Sequence, residues 1–331
     1  MRVGNRIVTL RRIVRTRAAT ALPAGLASEV RHVKSVLHEY RVGHWSWKVD
    51  RDVRSHLARP HVRRVRRPGQ VWGVSVVRNE ADVVPAVVSH LLDQGLSGIV
   101  IADHSSDDGT RERLLSMAAA EPRLHVVLDS SKGHFQKEKI THLSRLAWRA
   151  GAEWIIPFDG DEFWFAPSGT LSEWLPSQSA DVINSHTIHA VPLSEESDFR
   201  KRTLLLDLGG GYKKVGFRAH PLAFVAPGNH DVSRPGSRGG GLVNIHVPYR
   251  GAHQILGKFR RGAQALDDAG TPAGEGWHWR VGAKFDEADA ERVWGQMQRG
   301  QAVPEIDWVA KGPHVPTRPL RSRSWAPDAK A

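Results

Sequence analysis

Between residues 71 and 163 the sequence alternates short apolar runs with segments of helical periodicity. The strand-like runs lie at 71–77, 98–102, 124–128 and 154–158, and the helical segments lie at about 83–92, 110–120 and 136–150. Short β-branched runs of this kind are typical of buried strands, and apolar residues three and four apart are typical of helices. The alternation predicts the α/β fold class, a Rossmann-type sandwich with a mainly parallel central sheet and helices on both faces.

Polar clusters follow three of the predicted strands. The clusters are Arg78-Asn79-Glu80, the segment 103–110 and Asp159-Gly160-Asp161-Glu162. In open α/β sheets, ligands bind at the carboxyl ends of the strands. We therefore expect the three clusters to face one crevice.

Asp159 and Asp161 stand one residue apart at a strand end, where two carboxylates can share a divalent cation. The chain has no cysteine, so thiolate metal sites, disulfides and thiol catalysis are excluded. Oxygen ligands without sulfur favour Mg²⁺ or Mn²⁺. An ion bound to a diphosphate there would assist departure of the leaving group. The alternative for an isolated acid pair is a solvated turn.

The three clusters together resemble the family 2 glycosyltransferases of GT-A fold, in the subgroup whose acidic motif reads D-x-D-E-F. The matching stretches are 77–80, 103–110 and 159–163, followed by Phe135-Gln136, 228–232, 246–250 and 258–262. The resemblance covers about 71–262 and implies a GT-A-like fold. Two positions depart from the subgroup: Val247 stands where an aromatic residue is usual, and His253 where an acid or polar residue is common.

The resemblance also implies roles for individual residues. It assigns the nucleotide-sugar site to Arg78, Asn79, Glu80, Asp103, Ser105, Gln136 and Asp159. It assigns the metal, Mn²⁺ or Mg²⁺, to Asp159 and Asp161, with His230 and His246 as candidates to complete the shell. The catalytic base would be Asp231 or Glu162.

The implied activity is transfer of a sugar from a nucleotide-sugar donor to an acceptor hydroxyl, with divalent-metal assistance. Direct displacement by that hydroxyl would invert the anomeric centre, and the sequence leaves retention open. The expected role is in cell-envelope polysaccharide or glycolipid synthesis. Glycan, glycolipid and protein acceptors all remain candidates, and the sequence specifies neither the sugar nor the base.

The positive charge of the chain is concentrated at its N-terminus. Residues 1–70 hold 17 Lys and Arg against four acids, whereas the remainder holds 30 against 31. Val3, Ile7, Leu10 and Val14 have helical spacing among arginines, as in a basic amphipathic helix on an anionic membrane surface. A disordered basic leader is the alternative. Without a secretory signal or a sufficiently long apolar stretch, we expect a cytoplasmic protein at the inner membrane face.

We divide the chain into a basic N-terminal extension (1–70, partly helical or disordered), a GT-A-like domain (71–262), a C-terminal helical extension (263–311) and a disordered tail (312–331). A last helix is expected over 286–299. The glycine-rich segments 209–211 and 235–241 are expected to be mobile loops.

Functions other than sugar transfer are compatible with parts of the sequence. A non-catalytic GT-A-like scaffold, or a protein that binds nucleic acid or another anionic surface through the basic N-terminus, is the main alternative. No zinc-finger or aromatic-basic RNA motif accompanies the arginines, so no nucleic-acid partner is expected. A haloacid-dehalogenase-type phosphohydrolase would carry its acid pair on the first strand, but here three strands precede it. Lys213, Lys214 and Lys258 could reach phosphates or lie in solvated basic turns.

Overall fold

The computed structural model describes residues 24–43, 45–58, 67–192, 204–207, 213–306, 308 and 314–316. The helices are α1 (Ala24–Arg41), α2 (Trp47–His56), α3 (Val84–Asp93), α4 (Thr110–Ala120), α5 (Gln136–Ala150), α6 (Leu171–Trp174), α7 (Ala252–Asp268), α8 (Trp277–Gly282) and α9 (Glu287–Gln298). The strands are β1 (Val71–Val77), β2 (Gly98–Asp103), β3 (Leu124–Leu128), β4 (Trp154–Pro157), β5 (Glu162–Phe165), β6 (Val182–Ala190), β7 (Leu204–Asp207), β8 (Val215–Arg218), β9 (Phe224–Val225), β10 (Val232–Ser233), β11 (Arg238–His246) and β12 (His314–Pro316).

The first four strands form the parallel half of the sheet, in the order β3-β2-β1-β4. The central strands β1 and β2 are buried along almost their whole length, which explains their continuous apolar sequence. The polar clusters after β1, β2 and β4 therefore leave the sheet at one edge. The α/β class predicted from the alternation is confirmed.

Helices cover both faces of this half, as predicted. Val87 and Leu91 of α3 pack on one face with Ile99 and Ile101 of β2. Ile140, Leu143 and Ala147 of α5 pack on the other face, with Val100 and Ala102 of the same strand. The side chains of β2 alternate between the two cores, as the two-residue period of a strand requires.

The second half of the sheet is mixed. β8 pairs antiparallel with β4 and with β6, which continues the sheet to β7 and β12. β11 lies between β5, to which it is antiparallel, and β6, to which it is parallel. These two pairings bring His246 opposite Glu162 on one side and opposite His189 on the other.

The expectation of a mobile loop over 235–241 is wrong for its second part. Arg238, Gly239 and Gly240 pair with β6 as part of β11, and a bulge follows before Leu242. Gly241 has φ +124°, a conformation that favours glycine. The glycines mark a bulged strand here because the neighbouring strand supplies partners for their backbone groups.

Outside the sheet, the described elements include two helical groups. α1 and α2 pack near β9 and α5, with Trp45 against Phe224 and Val53 in the core beneath α5. The helices α7, α8 and α9 share a third apolar core. α7 runs across position 262, where the sequence division placed a boundary, and α9 covers the expected helix 286–299 to within a residue at each end.

The leader over 1–20, the glycine segment 209–211 and nearly all of the tail 312–331 lie outside the described residues. Among the helices that the structure describes, none has the length and apolar character needed to cross a bilayer.

Candidate functional site

The loops after β1 and β2 are tied together by hydrogen bonds. The backbone N–H of Asn79 donates to Ser106 Oγ at 2.9 Å, and that of Glu80 donates to Thr110 Oγ1 at 2.8 Å. The Ala81 N–H donates to Asp108 Oδ2 at 3.0 Å. Asn79 has a positive φ of 57°, which asparagine tolerates better than most residues. Two of the predicted clusters therefore form one structural unit.

Asp103 lies at the end of β2 and is buried. Its Oδ2 accepts a hydrogen bond from Arg111 Nε at 2.9 Å and one from the Ser106 N–H at 3.3 Å. Among the described residues, Oδ1 has no hydrogen-bond partner, and neither has the buried Nε of Arg78. Buried polar atoms are rarely left unsatisfied, so these atoms are candidates for contact with a ligand. Ser105, also expected here, instead donates to the Asp129 carbonyl oxygen.

Asp159, which follows β4, is held by residues from three parts of the chain. Its Oδ1 accepts hydrogen bonds from Asn229 Nδ2 at 2.9 Å and Gln136 Nε2 at 3.2 Å. Its Oδ2 lies 2.5 Å from Lys214 Nζ. Gln136 also accepts from the Gly228 N–H at 2.9 Å, which links α5 to the 227–229 turn. The expected proximity of Gln136 and Asp159 is therefore present.

Lys214 neutralises a second acid. Glu162 Oε1 lies 3.0 Å from Lys214 Nζ, and Glu162 Oε2 accepts a hydrogen bond from the Asp159 N–H. Glu162 is fully buried, and this burial raises the pKa of its carboxyl despite the nearby ammonium. Burial would lower the pKa of Lys214, but the charges of Asp159 and Glu162 outweigh it and raise that pKa.

Asp161 is surrounded by Lys258, Arg250 and the imidazole of His246. Its Oδ2 lies 2.8 Å from Lys258 Nζ and 3.7 Å from Arg250, and its Oδ1 lies 3.3 Å from His246 Nε2. Burial opposes ionisation of Asp161, but the neighbouring charges of Lys258, His246 and Arg250 prevail and hold its pKa well below the usual range. Asp161 is thus an ionised carboxylate in a buried position.

Arg250 connects the acids after β4 with those after β1. Besides Asp161, its guanidinium binds Glu80 and Asp82, the latter at 2.6 Å from Nε. A Cβ at Gly160 would lie 3.4 Å from Glu80 Cγ, so the two strand ends are in direct contact. Burial raises the pKa of Glu80, and the positive charge of Arg250 opposes this rise. Arg250 therefore brings together the polar clusters that follow β1 and β4.

The four expected metal ligands do not form one cluster. Asp161 and His246 are adjacent, whereas Asp159 is bonded to Lys214, and His230 Nδ1 lies 2.8 Å from the Lys213 carbonyl oxygen. The described residues contain no group of three or more histidines and acids that could hold a metal ion. The pair Asp161 and His246 nevertheless presents a carboxylate oxygen, the ligand type that suits Mn²⁺ and Mg²⁺, beside one imidazole nitrogen, and a phosphate would supply further oxygens.

The two expected bases occupy different environments. Glu162 lies in the buried ion cluster, whereas Asp231 is half-exposed and pairs with Arg238 at 2.7 Å. Asp231 lines a cavity of about 510 Å³ beside α1, which Trp45 and Phe224 also line. The 227–229 turn directs His230 toward Lys213, and Asp231 pairs with a residue of β11.

Sequence reasoning left four residues of the site without a definite role. Arg250 and Asn229 appeared only as members of matched stretches, and Lys214 and Lys258 were equally compatible with solvated turns. The signal for the lysines would have been their proximity to the acids, which a single sequence does not reveal because each lysine lies far along the chain from its acid. Lys258 is 97 residues from Asp161, and Lys214 is 55 from Asp159.

Some solved structures are distantly similar to this chain. No family model matches the chain, and no curated protein matches it. The mannosyltransferase PcManGT from Pyrobaculum calidifontis, solved with GDP-Man and Mn²⁺, is 15% identical with a TM-score of 0.37 over 85% of this chain and 88% of that one. HddC from Yersinia pseudotuberculosis is 11% identical with a TM-score of 0.31, over 54% of this chain and 94% of that one. S. aureus TarS 1-349 is 10% identical with a TM-score of 0.32, over 77% and 98%.

Proposed function

We propose that the chain is a glycosyltransferase of the family 2 type, which moves a sugar from a nucleotide-sugar donor to an acceptor hydroxyl. The observation that carries the proposal is the bridge made by Arg250, which contacts Glu80 after β1 and Asp161 after β4. This contact joins the motifs whose order suggested the family. In an α/β sheet such a strand-end crevice is the usual place of ligand binding.

The donor nucleoside would lie against the interlocked loops. Asp103 Oδ1 and Arg78 Nε are buried atoms without hydrogen-bond partners among the described residues, so they can accept from and donate to a ligand. Glu80 would contact the base or ribose beside them, with Asn79 holding the loop. Gln136 and Asp159 would contact the donor from the other side of the crevice, where they bond to each other.

The diphosphate would lie near the cationic side chains. Asp161 and His246 would hold a divalent cation, which supplies Lewis-acid stabilisation of charge on the departing nucleoside diphosphate. Lys258 and Lys214 add fixed positive charge next to the acids, and preorganised charge of this kind stabilises a transition state without reorganisation cost. Asp159 and His230 would support the site from its margin.

Proton removal from the acceptor is assigned to Asp231, because it is the half-exposed acid of the two candidates. Glu162 is fully buried against Lys214, which suits it to orienting that lysine. Attack by the acceptor hydroxyl on the anomeric carbon would invert the centre, as the proton passes to the carboxylate. The change Asp231→Asn should lower kcat by about 10²- to 10⁴-fold with the donor dissociation constant unchanged. An unaltered kcat would refute this assignment.

The proposed setting is synthesis of cell-envelope polysaccharide or glycolipid in the cytoplasm, with the basic leader at the inner membrane face. The leader proposal has its own test: removal of residues 1–20 should weaken binding to anionic vesicles. The charge of residues 1–70 supports this setting, since clustered Lys and Arg are attracted to anionic lipid.

The experiment that tests the activity is a thermal-shift panel of nucleoside diphosphates and nucleotide sugars, each with and without Mn²⁺. A ligand at about 100 times its dissociation constant adds about 2.7 kcal/mol to the free energy of unfolding. We expect a metal-dependent shift for one nucleotide that Asp161→Asn and His246→Ala abolish. The matched controls Asp268→Asn and His253→Ala change exposed residues of α7 and should keep the shift. No shift with any nucleotide would favour the non-catalytic scaffold.

A further inference from the structure

α1 has two faces, and the inner one packs on the body of the protein. His32 is buried and its Nε2–H donates to the Leu222 carbonyl oxygen at 2.7 Å, while Val36 lines the cavity beside the β9–β10 hairpin. Tyr40, near the end of the helix, contacts Phe224 edge to face. Polar and apolar contacts therefore fix which side of α1 faces outward.

The outer face carries a second apolar stripe. Leu26, Val30, Val33 and Leu37 follow one another at i, i+4, i+7 and i+11, so they share one side of the helix. Leu26 is 36% exposed and Leu37 is 57% exposed against all the described residues. Val30 and Val33 between them are partly buried, so the stripe is accessible at its two ends while the helix packs on the folded body.

The turn after α1 and the start of α2 extend the stripe. Val42 is 44% exposed, and Trp47 is 62% exposed, the largest value among the large apolar side chains described. Trp47 stacks on Tyr40 with ring centroids 3.9 Å apart, so it is fixed beside the end of α1. We name Leu26, Leu37, Val42 and Trp47 the helix-pair patch.

Exposed basic side chains lie on the same two helices as the helix-pair patch. The exposed ones on α1 and α2, leaving aside Arg54, which pairs with buried Asp50, are Arg31, Lys34, Arg41, Lys48 and Arg51. Among the described residues of these two helices, Asp52 is an exposed acid, and Glu29, whose side chain is 41% exposed, pairs with His220. The surface thus combines exposed leucine, valine and tryptophan with a positive rim, and its charge complement is anionic.

We propose that the helix-pair patch docks on the surface of an anionic lipid bilayer. Amphipathic helices with tryptophan and leucine on one side and lysine and arginine around them bind at the boundary between headgroups and acyl chains. The leader of this chain is a poorer occupant, because its six arginines before residue 18 would face the basic rim. The inference concerns location and does not depend on the transferase reaction.

Docking would also orient the site. Trp45 lies two residues before the first residue of α2 and packs on Phe224 of β9. β9 leads into the turn that carries Asn229. Asn229 binds Asp159. The membrane contact and the crevice are therefore joined by a short series of packed residues, which holds the crevice at a set angle to the lipid surface.

The test is co-sedimentation of the full chain with vesicles of phosphatidylcholine alone or mixed with phosphatidylglycerol. Trp47→Ser should lower the partition coefficient on the anionic vesicles about fivefold, from lost apolar burial. Trp277→Ser is the matched control, because Trp277 is an exposed tryptophan (44%) on α8 and its loss should change nothing. Equal binding by both variants would overturn the proposal.

The second part of the vesicle experiment tests the basic side chains. Lys48→Gln/Arg51→Gln should lower the partition coefficient about thirtyfold, because each basic residue near an anionic surface contributes about 1 kcal/mol. Arg113→Gln/Lys284→Gln removes two exposed charges elsewhere and should have little effect. A dimer in sedimentation that Trp47→Ser dissociates would instead identify a second copy as the occupant and overturn the proposal. The thermal shifts that nucleotides produce should be the same in Trp47→Ser and in the wild type. Failure of the transferase proposal can therefore be distinguished from failure of the membrane proposal.

Discussion

The two halves of the crevice are held together in different ways. On the side of β1 and β2, backbone N–H groups and hydroxyls join two loops that are about 30 residues apart in the sequence. On the side of β4 and β5, buried acids meet lysine, arginine and histidine side chains from distant strands and helices. The first half depends on local loop geometry, and the second depends on charge balance that only the complete fold provides.

The largest expected change in unfolding free energy comes from removing a buried cation from the second half. Lys214→Met would leave Asp159 and the buried Glu162 without their shared cation, and loss of one partner of a buried ion pair costs about 3–5 kcal/mol of unfolding free energy. Urea denaturation at pH 7.5 measures the change. The neighbouring Lys213 is exposed, so Lys213→Met is the matched control. Equal stability of the two variants would show that the second half does not depend on this cation.

An intermediate change in stability is expected from the hydrogen bond that connects α3 with β5. His90 of α3 donates a hydrogen bond from Nε2 to the Trp164 carbonyl oxygen of β5 at 2.8 Å, and burial lowers the pKa of its imidazole to about 4. The folded protein then binds fewer protons than the unfolded chain between pH 6.5 and 4, so stability falls as the pH falls through this window. His90 should account for a loss of about 2 kcal/mol between pH 8 and pH 5.

The measurement is urea denaturation at both pH values for the wild type and His90→Gln, which keeps an N–H donor but does not titrate. The variant should lose less stability than the wild type between pH 8 and pH 5. Identical pH dependence would mean that the imidazole is not buried as described. His253→Gln, at an exposed position, is the control.

The smallest expected effect is in the first half. Asp108 accepts hydrogen bonds from Ala81, from the Thr110 N–H and from the Thr110 hydroxyl, and it is exposed. Asp108→Ala should cost about 1 kcal/mol, because water can replace most of these bonds. Glu291→Ala, at an exposed position on α9, gives the baseline for removing a surface acid. If Asp108→Ala lost as much unfolding free energy as Lys214→Met, the two halves would not differ in how they are stabilised.

The same distinction explains what the sequence could predict. The strands β1 to β3 and the helices α4 and α5 lie where the apolar periodicity placed them, since that signal is local. The start of β11 was predicted as a loop, because its glycines are extended only through pairing with β6. Burial and long-range charge pairs are properties of the fold, so Lys214 and Lys258 were not assigned beforehand as the partners of Asp159 and Asp161.

The site residues divide in the same way. The clusters 78–80 and 103–110 were expected at the same end of the sheet, and hydrogen bonds from Asn79 and Glu80 to Ser106 and Thr110 join them there. The grouping of His230 with Asp161 rested on sequence resemblance alone, and the structure places Lys213 beside His230 instead. Neighbours in sequence such as His230 and Asp231 diverge because a tight turn precedes them.

The bulge in β11 has a consequence for how this chain can change over generations. The strand is fixed on both sides near His246, by β5 and by β6, whereas before the bulge it is paired with β6 alone. A residue gained or lost before Gly240 can be absorbed at the irregularity, while one gained or lost after Leu242 would turn His246 to the opposite face of the sheet. The part of β11 before the bulge can therefore vary in length during evolution. The spacing of the last five residues of β11 has to be kept, because it holds the imidazole of His246 beside Asp161.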